Sequence, residues 1–138
     1  MPKDQHHKIL IVEDDDTNFL YLSIALETEN FELIRAFNGN EAIKLIKTHQ
    51  GSVRLILMDI KLPGIDGFET TRAIRKDFPK IPIIAQTAYY MPNNLSAFED
   101  AKFNDVIFKP FSIDDIIKTI YKNICPTEKT KGNISLFL

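Results

Sequence analysis

Five short apolar runs, each followed by a stretch of helical length, constrain what this chain can fold into more than any other feature. The runs are KILIV (8–12), FELIRA (31–36), RLILM (54–58), IPIIA (81–85) and DVIF (105–108). Each is close to continuously apolar rather than alternating, which is the pattern of parallel strands covered on both faces. The last intervening segment is the plainest helix: Ile113, Ile116, Ile117, Ile120, Tyr121 and Ile124 recur at the spacing of one helix face. Ser112 with Asp115 three residues later predicts a capping-box-like start, and Pro126 predicts the end. Gly39 and Asn40 precede a second helix carrying Ala42, Leu45 and Ile46, and Pro63, Gly64, Asp66 and Gly67 form the strongest turn signal.

Five strand–helix units in succession predict an α/β fold, (βα)5, with helices on both sides of a parallel sheet. For five strands the expected arrangement is the flavodoxin-like doubly wound order 2-1-3-4-5, whose ligand crevice lies at the carboxyl ends of strands 1 and 3. The 138 residues leave room for one domain, expected over 1–125, with 126–138 a tail or truncated linker. A net charge of -2 and the lack of a long basic run speak against nucleic acid or an anionic membrane surface as a main partner. No apolar stretch approaches the roughly 18 residues of a membrane span, and the N-terminus does not read as a signal peptide. Cys125 has no second cysteine to pair with and reads as an inert residue near a helix end, which fits a reduced, cytoplasmic setting.

The crevice rule says where chemistry belongs, and ionisable residues are placed there. The first run leads into Glu13, Asp14, Asp15 and Asp16, the third into Asp59, the fourth ends close to Thr87, and the fifth leads into Lys109. Carboxylates gathered at a partly buried sheet edge repel one another, and a hard divalent cation relieves that repulsion. Mg²⁺ suits one or two carboxylates, several waters and a phosphate oxygen. Lys109 is a point cation suited to the remaining negative charge of a phosphoryl group, and the Thr87 hydroxyl can donate a hydrogen bond to it.

Four segments of the chain, ILIVEDDDTN, LILMDIKLPGIDGFE, IIAQTA and VIFKPF, resemble motifs of the response regulator receiver family of two-component signalling. They resemble, in order, its acidic first strand, its phosphoacceptor strand and loop, the strand carrying its switch hydroxyl, and the strand ending in Lys-Pro. The resemblance runs from residue 8 to residue 124. It implies that Asp59 is the phosphoacceptor and that Thr87 and Lys109 contact the phosphoryl oxygens. It also implies that Asp14 and Asp59 bind Mg²⁺ through their side chains, Lys61 through its backbone carbonyl and Glu13 through a water. The implied donor is a phosphohistidine on a histidine kinase or a histidine phosphotransfer domain. The implied readout is a changed surface offered to a downstream effector or a tethered output domain. Such a chain is a regulator that assists its own phosphorylation and dephosphorylation, not an enzyme acting on other substrates.

Two other readings compete. A Mg²⁺-dependent phosphohydrolase of the haloacid dehalogenase type also uses an Asp nucleophile after a first strand, but it wants Asp-x-Asp-x-Thr. Here Thr17 comes one position early, and there is no room for a cap over the substrate. A degenerate receiver serving only as a docking module would not need all of Glu13, Asp14, Asp59, Thr87 and Lys109. Blander roles suffice for several neighbours. Asp15 and Asp16 suit a helix N-terminus, Asn18 reads as structural at the pocket rim, and His49 suits a helix end. His6 and His7 read as disordered. In the first helix Leu22, Ala25 and Leu26 are expected to face the sheet, and Phe19, Leu20 and Ile24 to face away. Three positions depart from the family pattern: Val106 replaces the usual Tyr or Phe three before the lysine, Lys61 replaces a small or neutral residue, and Lys102 stands where Gly is common. The last implies that the backbone there need not adopt a positive φ.

Overall fold

The computed structural model describes residues 7–88 and 95–124, and all five strands and five helices lie within them. In chain order they are β1 (His7–Val12), α1 (Asp16–Glu27), β2 (Phe31–Ala36), α2 (Gly39–Thr48), β3 (Val53–Asp59), α3 (Gly67–Asp77), β4 (Ile83–Thr87), α4 (Leu95–Asp100), β5 (Asp105–Phe108) and α5 (Ile113–Ile124). The strands form one parallel sheet in the order β2-β1-β3-β4-β5, as expected of a flavodoxin-like chain. Alternate strand residues feed two cores. Leu10, Val12, Ile56, Met58 and Ala85 pack under α2, α3 and α4 with Ile46, Ile74 and Phe98. Ile9, Ile11, Leu55, Leu57 and Ile84 pack under α1 and α5 with Leu22, Leu26, Ile116 and Ile120. Burial on both faces is why the strand runs show no apolar–polar alternation.

The helix starts follow the local chemistry. Asp15 caps α1, its side chain accepting from the backbone N–H groups of Thr17 and Asn18. Asn38 caps α2, so Gly39 and Asn40 lie inside that helix rather than before it. Asp66 and Glu69 form a reciprocal capping box on α3. At the start of α5 the N–H of Asp115 donates to Ser112 Oγ at 3.0 Å. His49 is the residue after α2, as expected.

Three further expectations need correction. His7 is not disordered: it opens β1, pairs with Phe31 of β2, and its ring lies 6.1 Å from that of Phe31. Lys102 does adopt a positive φ, 69°. The tight turn from α4 into β5 demands it, and the Nε of Arg75 donates to the Lys102 carbonyl oxygen at 2.9 Å. Phe19 does not point into solvent; it is half-buried against the α1/α5 core. His6, Cys125 and the tail expected over 126–138 lie outside the described residues.

Candidate functional site

The carboxyl ends of the strands are in step, which brings distant residues to one edge. Val12 pairs with Met58, Asp59 with Gln86, and Thr87 with Phe108, so the residues that follow β1, end β3 and β4 and follow β5 are neighbours. Carboxylate oxygens of Glu13, Asp14 and Asp59 all lie within 4.8 Å of one another. Lys109 Nζ lies 3.5 Å from Glu13 Oε1 and 3.6 Å from Asp59 Oδ1. Glu13 is fully buried, and Asp59 and Thr87 nearly so, whereas Asp14 and Lys61 are exposed. The Lys109 N–H donates to the Thr87 carbonyl oxygen at 2.7 Å, tying the ends of β4 and β5 together.

Burial and the neighbouring charge of Asp59 together push the Glu13 carboxyl up to about 7 from its ordinary 4.5, against the opposing pull of Lys109. Its Oε2 accepts from the N–H of Asp15 at 3.2 Å, while Oε1 has no hydrogen bond and meets Lys109 only at ion-pair distance. A buried carboxylate oxygen left without a hydrogen bond, among other carboxylates, fits a small hard cation bound through oxygen donors.

Two residues that the sequence did not place at the site hold this edge. Arg35 of β2 donates from Nε to the Glu13 carbonyl oxygen at 3.0 Å and pairs with Asp16 at 2.9 Å. Its guanidinium lies between the rings of Phe19, at 4.6 Å, and Phe37, at 3.9 Å. Gly67 admits the loop after β3. Its N–H donates to the Ile60 carbonyl oxygen at 2.9 Å, and a Cβ there would run into the Asp59 carbonyl oxygen. The turn signal around Gly67 was visible in the sequence, but its close approach to the backbone of Asp59 was not.

Residues 9–121 match the response regulator receiver domain. The chain belongs to the response regulator receiver family. The polar-differentiation response regulator DivK of Brucella anthropi is 36% identical over 122 residues, covering 87% of this chain and 94% of DivK. The CAI-1 autoinducer sensor kinase/phosphatase CqsS of Vibrio cholerae is 32% identical over 124 residues, and the match spans 87% of this chain but only 18% of CqsS. Among solved structures, a response regulator from Chloroflexus aurantiacus superposes with a TM-score of 0.81 at 30% identity, covering 86% of this chain and 98% of that one. The receiver domain of the sensor histidine kinase PA1611 from Pseudomonas aeruginosa superposes with a TM-score of 0.77 at 28% identity. That match covers 86% of this chain and 98% of the PA1611 domain, whose active site cleft holds a coordinated magnesium ion.

As a receiver domain of two-component signalling, the chain is a regulator rather than an enzyme with its own substrate turnover. Family membership also decides against the dehalogenase-type phosphohydrolase. Among the described residues, no helix is long and apolar enough to cross a membrane.

Proposed function

We propose that this receiver accepts a phosphoryl group on Asp59 from a phosphohistidine, with Mg²⁺ held at the Glu13–Asp14–Asp59 edge. The single observation that carries the reading is the convergence of those three carboxylates with Lys109, delivered by separate strands to one edge. Asp14 and Asp59 would hold the ion through their side chains, Lys61 through its backbone carbonyl and Glu13 through a water. When bound, Mg²⁺ would neutralise charge on the phosphoryl oxygens and on Asp59. An Asp59 oxygen forms the new bond to phosphorus as the bond to the donor imidazole breaks, and the imidazole leaves with that electron pair. Lys109 then exchanges its contacts with Glu13 and Asp59 for a phosphoryl oxygen, and the Thr87 hydroxyl donates to another. With little covalent chemistry to perform, the protein's contribution is positioning and charge neutralisation.

The donor proposed is a histidine kinase or histidine phosphotransfer domain, and the recipient of the signal a downstream effector or a tethered output domain. The test is intact mass after incubation with acetyl phosphate. The expected outcome is a gain of a single phosphoryl group with Mg²⁺ and none with a chelator present. No labelling with Mg²⁺ present would point instead to a docking module.

A further inference from the structure

Tyr21 stands on α1, yet its side chain is committed to a carbonyl 90 residues along the chain. Its Oη donates to the Phe111 carbonyl oxygen at 2.8 Å, and the two rings lie 6.1 Å apart. Phe111 is the second residue after Lys109, on the segment that carries the chain from β5 into α5. Lys109 and Phe111 line one side of a groove of about 670 Å³, and Thr17, Asn18 and Tyr21 the other. A groove cannot hold a chain in place as a packed interior does. The Phe111 ring packs against the α1/α5 core, but that contact leaves the direction of the backbone free. Two hydrogen bonds fix that direction on either side of Lys109. The Lys109 N–H donates to the Thr87 carbonyl oxygen at 2.7 Å, and two residues later Tyr21 holds Phe111. Tyr21 is 41% exposed, and a hydrogen bond so open adds little to stability, since water competes for both groups. What it does supply is geometry. α1 gives it a rigid base, with Leu22 and Leu26 buried and Asp15 capping the first turn.

We propose that Tyr21 is a positioning residue for Lys109, holding the segment after β5 so that the ammonium meets the phosphoryl group on Asp59. The inference rests on Asp59 being the phosphoacceptor. Lys109 Nζ lies 3.5 Å from Glu13 Oε1 and 3.6 Å from Asp59 Oδ1, and during transfer it exchanges those contacts for a phosphoryl oxygen. Tyr21 acts on that exchange through Phe111 and the backbone between them, not on the phosphoryl group itself. Misplacing a reacting group by about 1 Å can cost up to ~10²-fold in rate. Loss of the anchoring hydrogen bond therefore falls on the rate and not on the fold. Glu13, Asp14 and Asp59 stand on other segments, after β1 and at the end of β3, so metal binding is spared.

The test compares the parent with Tyr21→Phe, which keeps the ring against Phe111 and removes only the hydroxyl. The rate of labelling by acetyl phosphate, read by intact mass, is followed as Mg²⁺ is raised. At saturating Mg²⁺ the rate is expected to fall roughly fivefold, the factor that one neutral hydrogen bond carries. The Mg²⁺ concentration that gives half the maximal rate should stay the same. In a Lys109→Ala background Tyr21→Phe should slow labelling no further, because the group it positions is gone. Equal rates for the parent and Tyr21→Phe overturn this proposal alone. So does weaker Mg²⁺ binding alongside the slower rate, or equal slowing in the Lys109→Ala background, since either marks a general loosening of the fold. A parent that takes no label overturns the phosphoacceptor reading and this proposal with it. The comparison of the parent with Tyr21→Phe decides the matter even where Lys109→Ala takes up too little label to measure.

Discussion

The guanidinium of Arg35 joins β2 to the acidic edge, and nothing in the local sequence announces it. An Arg in a strand run reads as an exposed cation, whereas its partners Glu13, Asp16, Phe19 and Phe37 come from α1 and from the loops after β1 and β2. Its hydrogen bond to the Glu13 carbonyl oxygen is charge-assisted, worth about 1.5–3 kcal/mol where buried. Arg35→Met keeps much of the packing between the rings and removes that bond. Mg²⁺ affinity, measured by titration, is therefore expected to fall several-fold, while Arg35→Lys recovers part of it. Unchanged affinity in Arg35→Met would remove Arg35 from the support of the site. Glu13 gives a second expectation. Its folded pKa, about 7, lies above the ordinary 4.5, burial being the first cause and Asp59 the second. A carboxyl raised in this way takes up a proton on folding. The stability it adds is complete below its unfolded pKa and is lost as pH rises through the folded one. Thermal melts of the metal-free protein should thus show Glu13→Gln gaining on the parent between about pH 5 and about pH 8. A constant gap across that range would contradict the shift.

Among the elements, α1 was legible in the sequence for its buried face and only partly for its exposed one. Leu22, Ala25 and Leu26 are buried as the helical spacing requires, and Leu20 and Ile24 are 58% and 57% exposed. Phe19 went astray because Arg35, remote in sequence, stacks on its ring. Leu20 and Ile24 stand on the helix that follows the Glu13–Asp14 edge, and helical partners favour exposed apolar strips. Leu20→Asp or Ile24→Asp is expected to slow transfer from a phosphohistidine protein while leaving labelling by acetyl phosphate intact. Equal loss with both donors would mean damaged folding, and no loss with either would take the strip out of the docking face. The turn from α4 to β5 shows a different limit. Whether a residue adopts positive φ depends on the direction the chain must take next, which the identity of Lys102 does not reveal. At 69° a side chain is strained, so Lys102→Gly is expected to change stability by no more than about 1 kcal/mol in either direction, relief of strain offsetting lost chain stiffness. Lys102→Val, branched at Cβ, should cost more than that in a denaturant melt.

Across the whole molecule, strand order and the place of the crevice followed from the alternation of elements, because parallel strands need crossovers and their carboxyl ends gather at one edge. Glu13, Asp14, Asp59 and Lys109 were legible for the same reason: each sits beside a strand end, where the fold rule says to look. Arg75 was not. Its half-buried guanidinium, held down to about 10 by desolvation, donates to the carbonyl oxygens of Phe78, Ile81 and Lys102 and to Asn104 Oδ1. Asn104 Oδ1 in turn accepts from the N–H of Ile83. That clamp joins the end of α3 to the starts of β4 and β5, and no spacing in the sequence records it. The central claim, that this fold exists to carry a phosphoryl group on one carboxylate, is tested most directly by trapping that group. After labelling with acetyl phosphate and Mg²⁺, borohydride reduction converts an aspartyl phosphate to homoserine, which peptide mass mapping then locates. The modified residue is expected at Asp59 alone, with no label in Asp59→Asn. Homoserine at any other aspartate, or undiminished labelling of Asp59→Asn, would contradict the account.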